Sequence, residues 1–543
     1  MRERPARVYQ PRARPFPSCH LGKGVGVNLV EYVFGAAREL NRWTEAAILY
    51  EDRRLTYAQL LRAVRKFGGA LRTLGVARGK RVAVVAADGP EFVASFLGAA
   101  AVGAVAVPLS TMLPPDELEY VLNHCGAKAA VVTPEQLDKL RSVRKSLPQL
   151  ETVLVVGGEP NSDGADEGVL SFDEVVEGAG EAEVEDVSDD ATAFILYTSG
   201  STGRPKGAVH IHRNLPYTVE TYCKQVLGVR PEDRLFSSSR LFFAYGLGNS
   251  LSFPLSTGAA SVLCRERPTP PVVAGVFEKH QPTIFFGVPA VFSALIEYAS
   301  QGSALETRSL KFCVSAGEKL PERIFREWKE LTGLDILDGI GSTEMLHMFF
   351  SNRRDHVRPG SSGLEVPGYG AKLQDHTGRE IEGAGTGSLI VKGLSACAGY
   401  WMDAEKTADT MRGEWVRTGD IYRRDREGFY WFEGRGDDLF KVKGLWVSPV
   451  EVEEALLSCA DVSEAAVVPR ADADGLNTVV AFVVLKSKQT DDGEAAEKLK
   501  AHVSALLPPF KRPAEIRLAD ALPRTATGKL QRFKLREGLA ESA

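Results

Sequence analysis

No cysteine in this 543-residue chain stands in a Cys-x-x-Cys pair, and the seven that occur (Cys19, Cys125, Cys223, Cys264, Cys313, Cys397 and Cys459) are odd in number and scattered. That usage argues against a disulfide framework and against a zinc site, and it fits the reducing cytoplasm. Charge of one sign is also scarce. A net charge of -5 with 25% charged residues gives no field that would hold a polyanion, so no nucleic-acid partner is expected. Long hydrophobic runs are missing except for Phe92 to Leu109, which is Ala/Gly-rich and reaches Pro108 beside a β-branched run. It reads as a buried helix entering a buried strand, with no membrane span. An N-terminal apolar core is absent too: Arg2, Arg4, Arg7, Arg12 and Arg14 precede none, so no secretory signal is predicted. The N-terminus reads as a frayed tail, because Glu3 and four prolines before residue 18 disfavour an arginine-rich transit peptide.

What is present is enough chain for more than one core. From residue 81 short apolar strands alternate with helices: Arg81 to Val85, a helix from Pro90 to Val102, Ala104 to Pro108, a helix from Pro114 to Cys125, and Ala127 to Thr133. That alternation predicts an α/β fold with layered sheets covered on both faces. Residues 158 to 190 are acidic and Gly-rich and read as an exposed connection. A boundary is expected at residues 434–438, where Gly434-Arg435-Gly436-Asp437-Asp438 follows the aromatic strand Phe429 to Phe432. The expected organisation is a tail and first helix at 1–44, a large domain at 45–433, a hinge at 434–438 and a small mobile α+β lobe at 439–543. In that lobe Pro449 to Ser458 and Ala495 to Leu506 read as helices, and Val462 to Val468 and Thr478 to Leu485 as strands.

The most informative stretch is Tyr197-Thr-Ser-Gly-Ser-Thr-Gly-Arg-Pro-Lys-Gly207, which follows a compact apolar strand from Ala191. Gly200, Gly203 and Gly207 let backbone amides turn toward an anion, Thr198, Ser199, Ser201 and Thr202 offer hydroxyls, and Lys206 adds a cation. This is phosphate-binding chemistry at the carboxyl end of a strand, where α/β proteins place ligands. It is not a Walker A loop, since Pro205 precedes Lys206 and no Ser or Thr follows that lysine.

Further segments follow in order: Asp338-Gly-Ile-Gly-Ser-Thr-Glu344, Arg417-Thr-Gly-Asp420, Gly434-Arg-Gly-Asp437 and Pro523-Arg-Thr-Ala-Thr-Gly-Lys529. With the 198–207 loop they resemble the adenylate-forming superfamily of acyl-CoA synthetases, adenylation domains and luciferases, from about residue 45 to 537. The resemblance implies a large AMP-binding domain and a small C-terminal lobe that use ATP, Mg²⁺ and coenzyme A. It places the phosphates on Thr198 to Gly203 and Lys206, Thr343 on the α phosphate, and Glu344 on Mg²⁺ as the metal carboxylate. Asp420 would hold the ribose hydroxyls with Arg435 assisting, and Ala316, Gly317, Glu318, Asp338 and Gly339, with Ile340, Gly341 and Ser342 following, would form the adenine segments. Lys529 would bridge the carboxylate and α phosphate as charge develops between them. Asp437 matches the hinge aspartate, and rotation there would present Lys441, Lys443 and Gly444 for the CoA step.

Arg240-Leu-Phe-Phe-Ala-Tyr-Gly-Leu-Gly-Asn249 together with Gly341-Ser-Thr-Glu-Met-Leu-His347 resembles the benzoate-CoA ligase branch. The pocket implied for a flat aromatic carboxylate is Phe243, Ala244, Tyr245, Ala316, Gly339, Ile340 and His347, with aromatic walls suited to ring stacking. His347 would face either the ring or a backbone carbonyl, and 4-hydroxybenzoate stays open as the acid. No Gly-Gly-x-Ser carrier segment occurs in the chain, which favours free CoA; loading a separate carrier protein is the alternative. A homodimer is left open.

Overall fold

β-branched strands followed by helices build two large sheets, and the carboxyl ends of two of their strands deliver the 198–207 and 338–344 segments. A computed structural model describes residues 28–158, 168–198, 204–471, 476–486, 492–524 and 530–541. Within them one seven-stranded sheet runs in the order Val169–Ser171, Thr152–Val155, Ala127–Val132, Arg81–Val85, Val105–Pro108, Thr192–Thr198, Lys206–Ile211. All neighbours are parallel except the last pair. A nine-stranded sheet carries Arg234–Ser237, Ile284–Gly287, Phe312–Ser315 and Ile336–Gly341 side by side and parallel at its centre. A smaller antiparallel sheet is built on Gly385–Lys392, Trp415–Arg424 and Tyr430–Arg435.

The apolar run from Phe92 becomes a helix, Pro90–Ala101, and the strand Val105–Pro108, both buried. Proline at the first turn suits a helix start, because its missing N–H would have no partner there. The helix lies so close to Tyr57–Thr73 that a Cβ on Gly98 would stand 2.8 Å from the Val64 carbonyl, so glycine sets the approach. Among the described residues no helix is long and apolar enough to cross a membrane.

The acidic stretch 158–190 is not the plain connection expected of it. Val169–Ser171 adds an edge strand, Phe172–Gly178 is a helix capped by the Ser171 side chain, and Phe172 stacks on Phe67 with centroids 5.4 Å apart. Its acids answer a row of arginines: Glu181 pairs with Arg62 and Arg65, Glu183 with Arg65, and Glu185 with Arg72 and Arg78. Composition hid this because the acids balance a partner face distant in sequence, while only a few apolar residues carry the packing. Residues 159–167 lie outside the described residues.

Beyond residue 439 a separate hydrophobic cluster, including Val447, Val452, Leu456, Val467, Val479, Leu499 and Val503, packs the helices Pro449–Leu457 and Asp492–Leu506 on the strands Val462–Ala471, Asn477–Leu485 and Glu515–Leu518. The molecule is thus α/β, with a large N-terminal sheet-rich domain and a smaller C-terminal one. The aromatic strand runs to Arg435, and Gly436–Asp438 form a single 3-10 turn.

Candidate active site

Parallel strands in register present their carboxyl ends on one side, so loops distant in sequence converge there. Ser315 lies opposite Asp338 in the ladder, which places Ala316, Gly317 and Glu318 beside the 338–344 segment. Asp338 is buried, its Oδ1 has no hydrogen-bond partner among the described residues, and burial pushes its carboxyl up to about 8 against the opposing pull of the Leu320 N–H and the Ser315 hydroxyl. A Cβ on Gly339 would meet the Phe350 carbonyl at 2.5 Å, and one on Gly341 the His347 carbonyl at 2.5 Å. Both glycines therefore let the antiparallel strand Met348–Ser351 close on Ile336–Gly341.

Thr343 and Glu344 sit in the turn after that strand, with Ser342 accepting from the Met345 N–H through its hydroxyl at 3.2 Å. The Glu344 carbonyl accepts from Cys397 N at 2.7 Å, and its Oε1 accepts from the Tyr400 hydroxyl at 2.7 Å. Among the described residues no group of three or more His, Cys, Asp or Glu could hold a metal. A lone, partly exposed carboxylate fits Mg²⁺ only if the remaining ligands are phosphate oxygens and water, which is how Mg²⁺ accompanies nucleotides.

Asp420 faces Arg435 across the strand pair, with Arg435 Nη1 3.0 Å from both Asp420 Oδ1 and the Thr418 carbonyl. Gly419 has φ +78, and a Cβ there would lie 2.9 Å from the guanidinium, so the Thr-Gly-Asp order is sterically required. Tyr422, two residues on and so on the same face, packs edge-on to Phe350 at 5.9 Å. Burial pushes its phenol up, as do the Asp420 and Asp338 carboxyls. The two aspartates, far apart in sequence, are thereby gathered around one ring.

Thr198 and Lys206 stand opposite each other where two antiparallel strands part. Ser199, Gly200, Ser201, Thr202 and Gly203 between them lie outside the described residues, as does Lys529. Arg204 rests over the Tyr120 ring, 4.9 Å from its centroid.

Phe243, Ala244 and Tyr245 open a short helix, Ala244–Leu247, and are half-buried against the main core with Ile340. The Tyr245 hydroxyl donates to the carbonyls of Gly287 and Val314, both at 3.3 Å. His347 is buried among Tyr222, Tyr245 and Phe253, with centroids at 5.2, 5.7 and 4.5 Å. Its Nε2 lies 3.2 Å from Asn249 Oδ1, its Nδ1 has no hydrogen-bond partner among the described residues, and burial pushes the ring down to about 3, so it is neutral in the working range. Sequence reasoning missed Tyr222 and Phe253, which come from helical turns with no motif of their own, and passed over Asn249, although it ends the quoted Arg240–Asn249 segment. It also missed Gly248, where a Cβ would stand 2.3 Å from His347 Cδ2, and Asp88, whose Oδ1 accepts from Leu241 N at 3.1 Å and anchors the 240–249 segment. Gly248→Ala is expected to destabilise the protein by about 1–3 kcal/mol through overpacking, which thermal melts of the variant check.

Around the predicted hinge, Asp437 is exposed, while Asp438 pairs with Arg532 at 3.2 Å and Arg536 at 3.7 Å. Lys441, Lys443 and Gly444 form an exposed hairpin between Phe440–Val442 and Leu445–Val447, with Lys443 at φ +50 and Lys441 over the Trp446 ring. Glu318 pairs with Arg524 at 3.2 Å.

Comparison with known proteins gives this geometry a lineage. The AMP-binding enzyme family matches residues 36–401, and the AMP-binding enzyme C-terminal domain matches residues 451–529. A benzoate–CoA ligase of Thauera aromatica is 46% identical over 483 residues, 89% of this chain and 90% of that one. The crystal structure of the anthranilate CoA ligase AuaEII in complex with anthranoyl-AMP superposes with a TM-score of 0.90 at 38% identity, covering 96% of this chain and 99% of that one. A benzoate CoA ligase from Burkholderia xenovorans superposes at 0.86 with 39% identity, covering 94% and 100%. With matches over both domains and close to half of the aligned residues shared, this chain belongs to the AMP-binding, adenylate-forming enzyme family, in its benzoate–CoA ligase branch.

Proposed function

We propose that the protein is an ATP-dependent aryl carboxylate–CoA ligase whose preferred acid is benzoate or a close ring analogue. The observation that carries the reading is the aromatic cluster of Tyr245, His347 and their neighbours, with His347 following closely on the Thr343–Glu344 turn after the strand Ile336–Gly341. A neutral, buried His347 and half-buried Phe243, Ala244, Tyr245 and Ile340 offer aromatic and apolar surface, which favours an aromatic ring over a short polar acid.

A carboxylate is a weak nucleophile toward a polyanion, so positioning and neutralisation of charge supply most of the rate. In this reading Lys206 and the 198–203 loop hold the β and γ phosphates, Thr343 contacts the α phosphate, and Asp420 accepts from both ribose hydroxyls with Arg435 keeping its carboxylate in place. Ala316 to Glu318 and Asp338 to Ser342 border the adenine. Glu344, together with phosphate oxygens, would hold Mg²⁺, whose charge would neutralise that of the phosphates. Lys529 stabilises charge as the acid oxygen bonds phosphorus and pyrophosphate leaves. The lobe beyond 439 then turns about Asp437 and brings Lys441, Lys443 and Gly444 to the site, where the CoA thiolate displaces AMP from the acyl carbon.

Release of AMP and pyrophosphate, measured with ATP, Mg²⁺ and CoA over benzoate, hydroxybenzoates, aminobenzoates, cyclohexene carboxylate, acetate and medium-chain acids, tests this. Strong preference for benzoate or a near analogue with CoA-dependent turnover is expected. Turnover on aliphatic acids alone would overturn the pocket, and adenylate formation indifferent to CoA would point to a carrier-protein acceptor.

A further inference from the structure

His210 is a buried imidazole that the mechanism above does not use. It lies on the strand Lys206–Ile211, four residues beyond Lys206, with its ring stacked on Phe194 at 5.1 Å. Its Nε2 is 2.9 Å from the Thr343 carbonyl, and its Nδ1 is 3.2 Å from Asn214 Oδ1. The Asn214 amide orientation is fixed, because its nitrogen donates to the carbonyls of Leu394 and Ala396 while its oxygen accepts from Ile211 N. Both imidazole nitrogens therefore face oxygen acceptors. Burial pushes the ring down to about 4, although the Thr343 carbonyl, Asn214 and the Glu344 carboxylate pull the other way. A neutral ring has one proton to give, and the shorter contact assigns it to Nε2.

The group it holds is under strain. Leu346, buried in the same turn, has φ +64, a left-handed conformation costly for a branched side chain and kept only where surrounding contacts over-determine it. The Thr343 carbonyl accepts from Leu346 N at 3.2 Å as well as from His210. On the far side the segment 398–401 is laced to the same strand: Ala398 N donates to the Val209 carbonyl, Val209 N to Gly399 and Trp401 N to Gly207, at 2.8, 2.9 and 2.7 Å. Tyr400 on that segment holds the Glu344 carboxylate. One strand thus carries Lys206 at one end and, through His210 and Tyr400, grips both residues of the Thr-Glu pair.

We infer that His210 is a positioning residue for adenylate formation, holding the Thr343 carbonyl through Nε2–H so that the Thr343 hydroxyl and Glu344 carboxylate keep a fixed relation to Lys206 and the phosphates. The inference rests on the adenylation reading. Its force is geometric: misplacing oriented groups by an ångström costs about a hundred-fold in rate.

The test is acid-dependent ATP–pyrophosphate exchange in the full-length protein and in His210→Leu, His210→Gln and His210→Asn, with a thermal melt of each. Glutamine can place an N–H where Nε2 stands, whereas asparagine can reach only the Nδ1 side. His210→Leu is expected to lower kcat by about ten- to a hundred-fold, with the KM for benzoate little changed. His210→Gln should recover most of that loss and His210→Asn should not, at matching thermal stability. Equal impairment of Gln and Asn variants, or losses that follow the melting temperatures, would overturn the role. Exchange in the unsubstituted protein that His210→Leu leaves intact would sink the role alone. Absence of exchange in the unsubstituted protein would sink the adenylation reading and this role with it.

Discussion

Lys529→Ala is expected to cut acid-dependent ATP–pyrophosphate exchange by about 10²- to 10³-fold, the scale on which a single preorganised stabiliser of developing charge acts. The reacting carboxylate and α phosphate are both anionic, and their approach is opposed by Coulomb repulsion that a water-poor site amplifies. In the proposed reading a lysine brought in on the C-terminal lobe offsets that repulsion only while the lobe is in place. Thioester formation from chemically prepared benzoyl-adenylate and CoA should then change little, because the proposed rotation would by that step have withdrawn the lysine. Pyrophosphate exchange that persists at the unsubstituted rate would remove Lys529 from the chemistry. A variant equally poor in both half-reactions would point to a general folding defect.

The second large effect is expected at Asp420. The residue is 8% exposed and its Oδ1 lies 3.0 Å from Arg435 Nη1; in the proposed reading this carboxylate accepts from two vicinal hydroxyls. Hydrogen bonds to a charged group contribute about 1.5–3 kcal/mol each, so Asp420→Ala should raise the KM for ATP by about ten- to a hundred-fold. The variant also leaves the Arg435 guanidinium with the Thr418 carbonyl in place of its carboxylate partner. Asp420→Asn, which keeps one acceptor oxygen, should fall between the two. The discriminating substrate is 2′-deoxy-ATP: it should be disfavoured by the unsubstituted protein and by Asp420→Asn, but hardly distinguished from ATP by Asp420→Ala. Equal discrimination in all three would move the ribose contact elsewhere.

Legibility differed by kind of residue. The strands and helices from Arg81 to Val132, and in the lobe the helices Pro449–Leu457 and Asp492–Leu506 and the strands Val462–Ala471 and Asn477–Leu485, could be read directly, because alternating β-branched and amphipathic segments carry their own periodicity. The short strands Phe440–Val442, Leu445–Val447 and Glu515–Leu518 and the helix Arg532–Glu541 were not read. The helix and edge strand within 169–178 could not, since they are short and their stability comes from Phe67 and an arginine row elsewhere in the chain. The Gly-rich and Thr-Gly-Asp segments were visible because unusual backbone requirements restrict which residues can occupy them, as Gly419 illustrates. Tyr222, Phe253 and His210 were invisible as site residues: an aromatic or imidazole in an apolar stretch looks like core until its neighbours are known.

Sequence alone therefore determined the α/β layering, the membership in an adenylate-forming lineage and the order of the segments that bear its chemistry. Local patterns and glycine-dependent turns are properties of consecutive residues, and consecutive residues are what a sequence displays. Tertiary structure alone decided which carboxyls lost water, which histidines stayed neutral, and which strand grips the Thr343–Glu344 turn. Desolvation and hydrogen-bond geometry depend on groups brought together from distant parts of the chain, and no local pattern encodes that meeting.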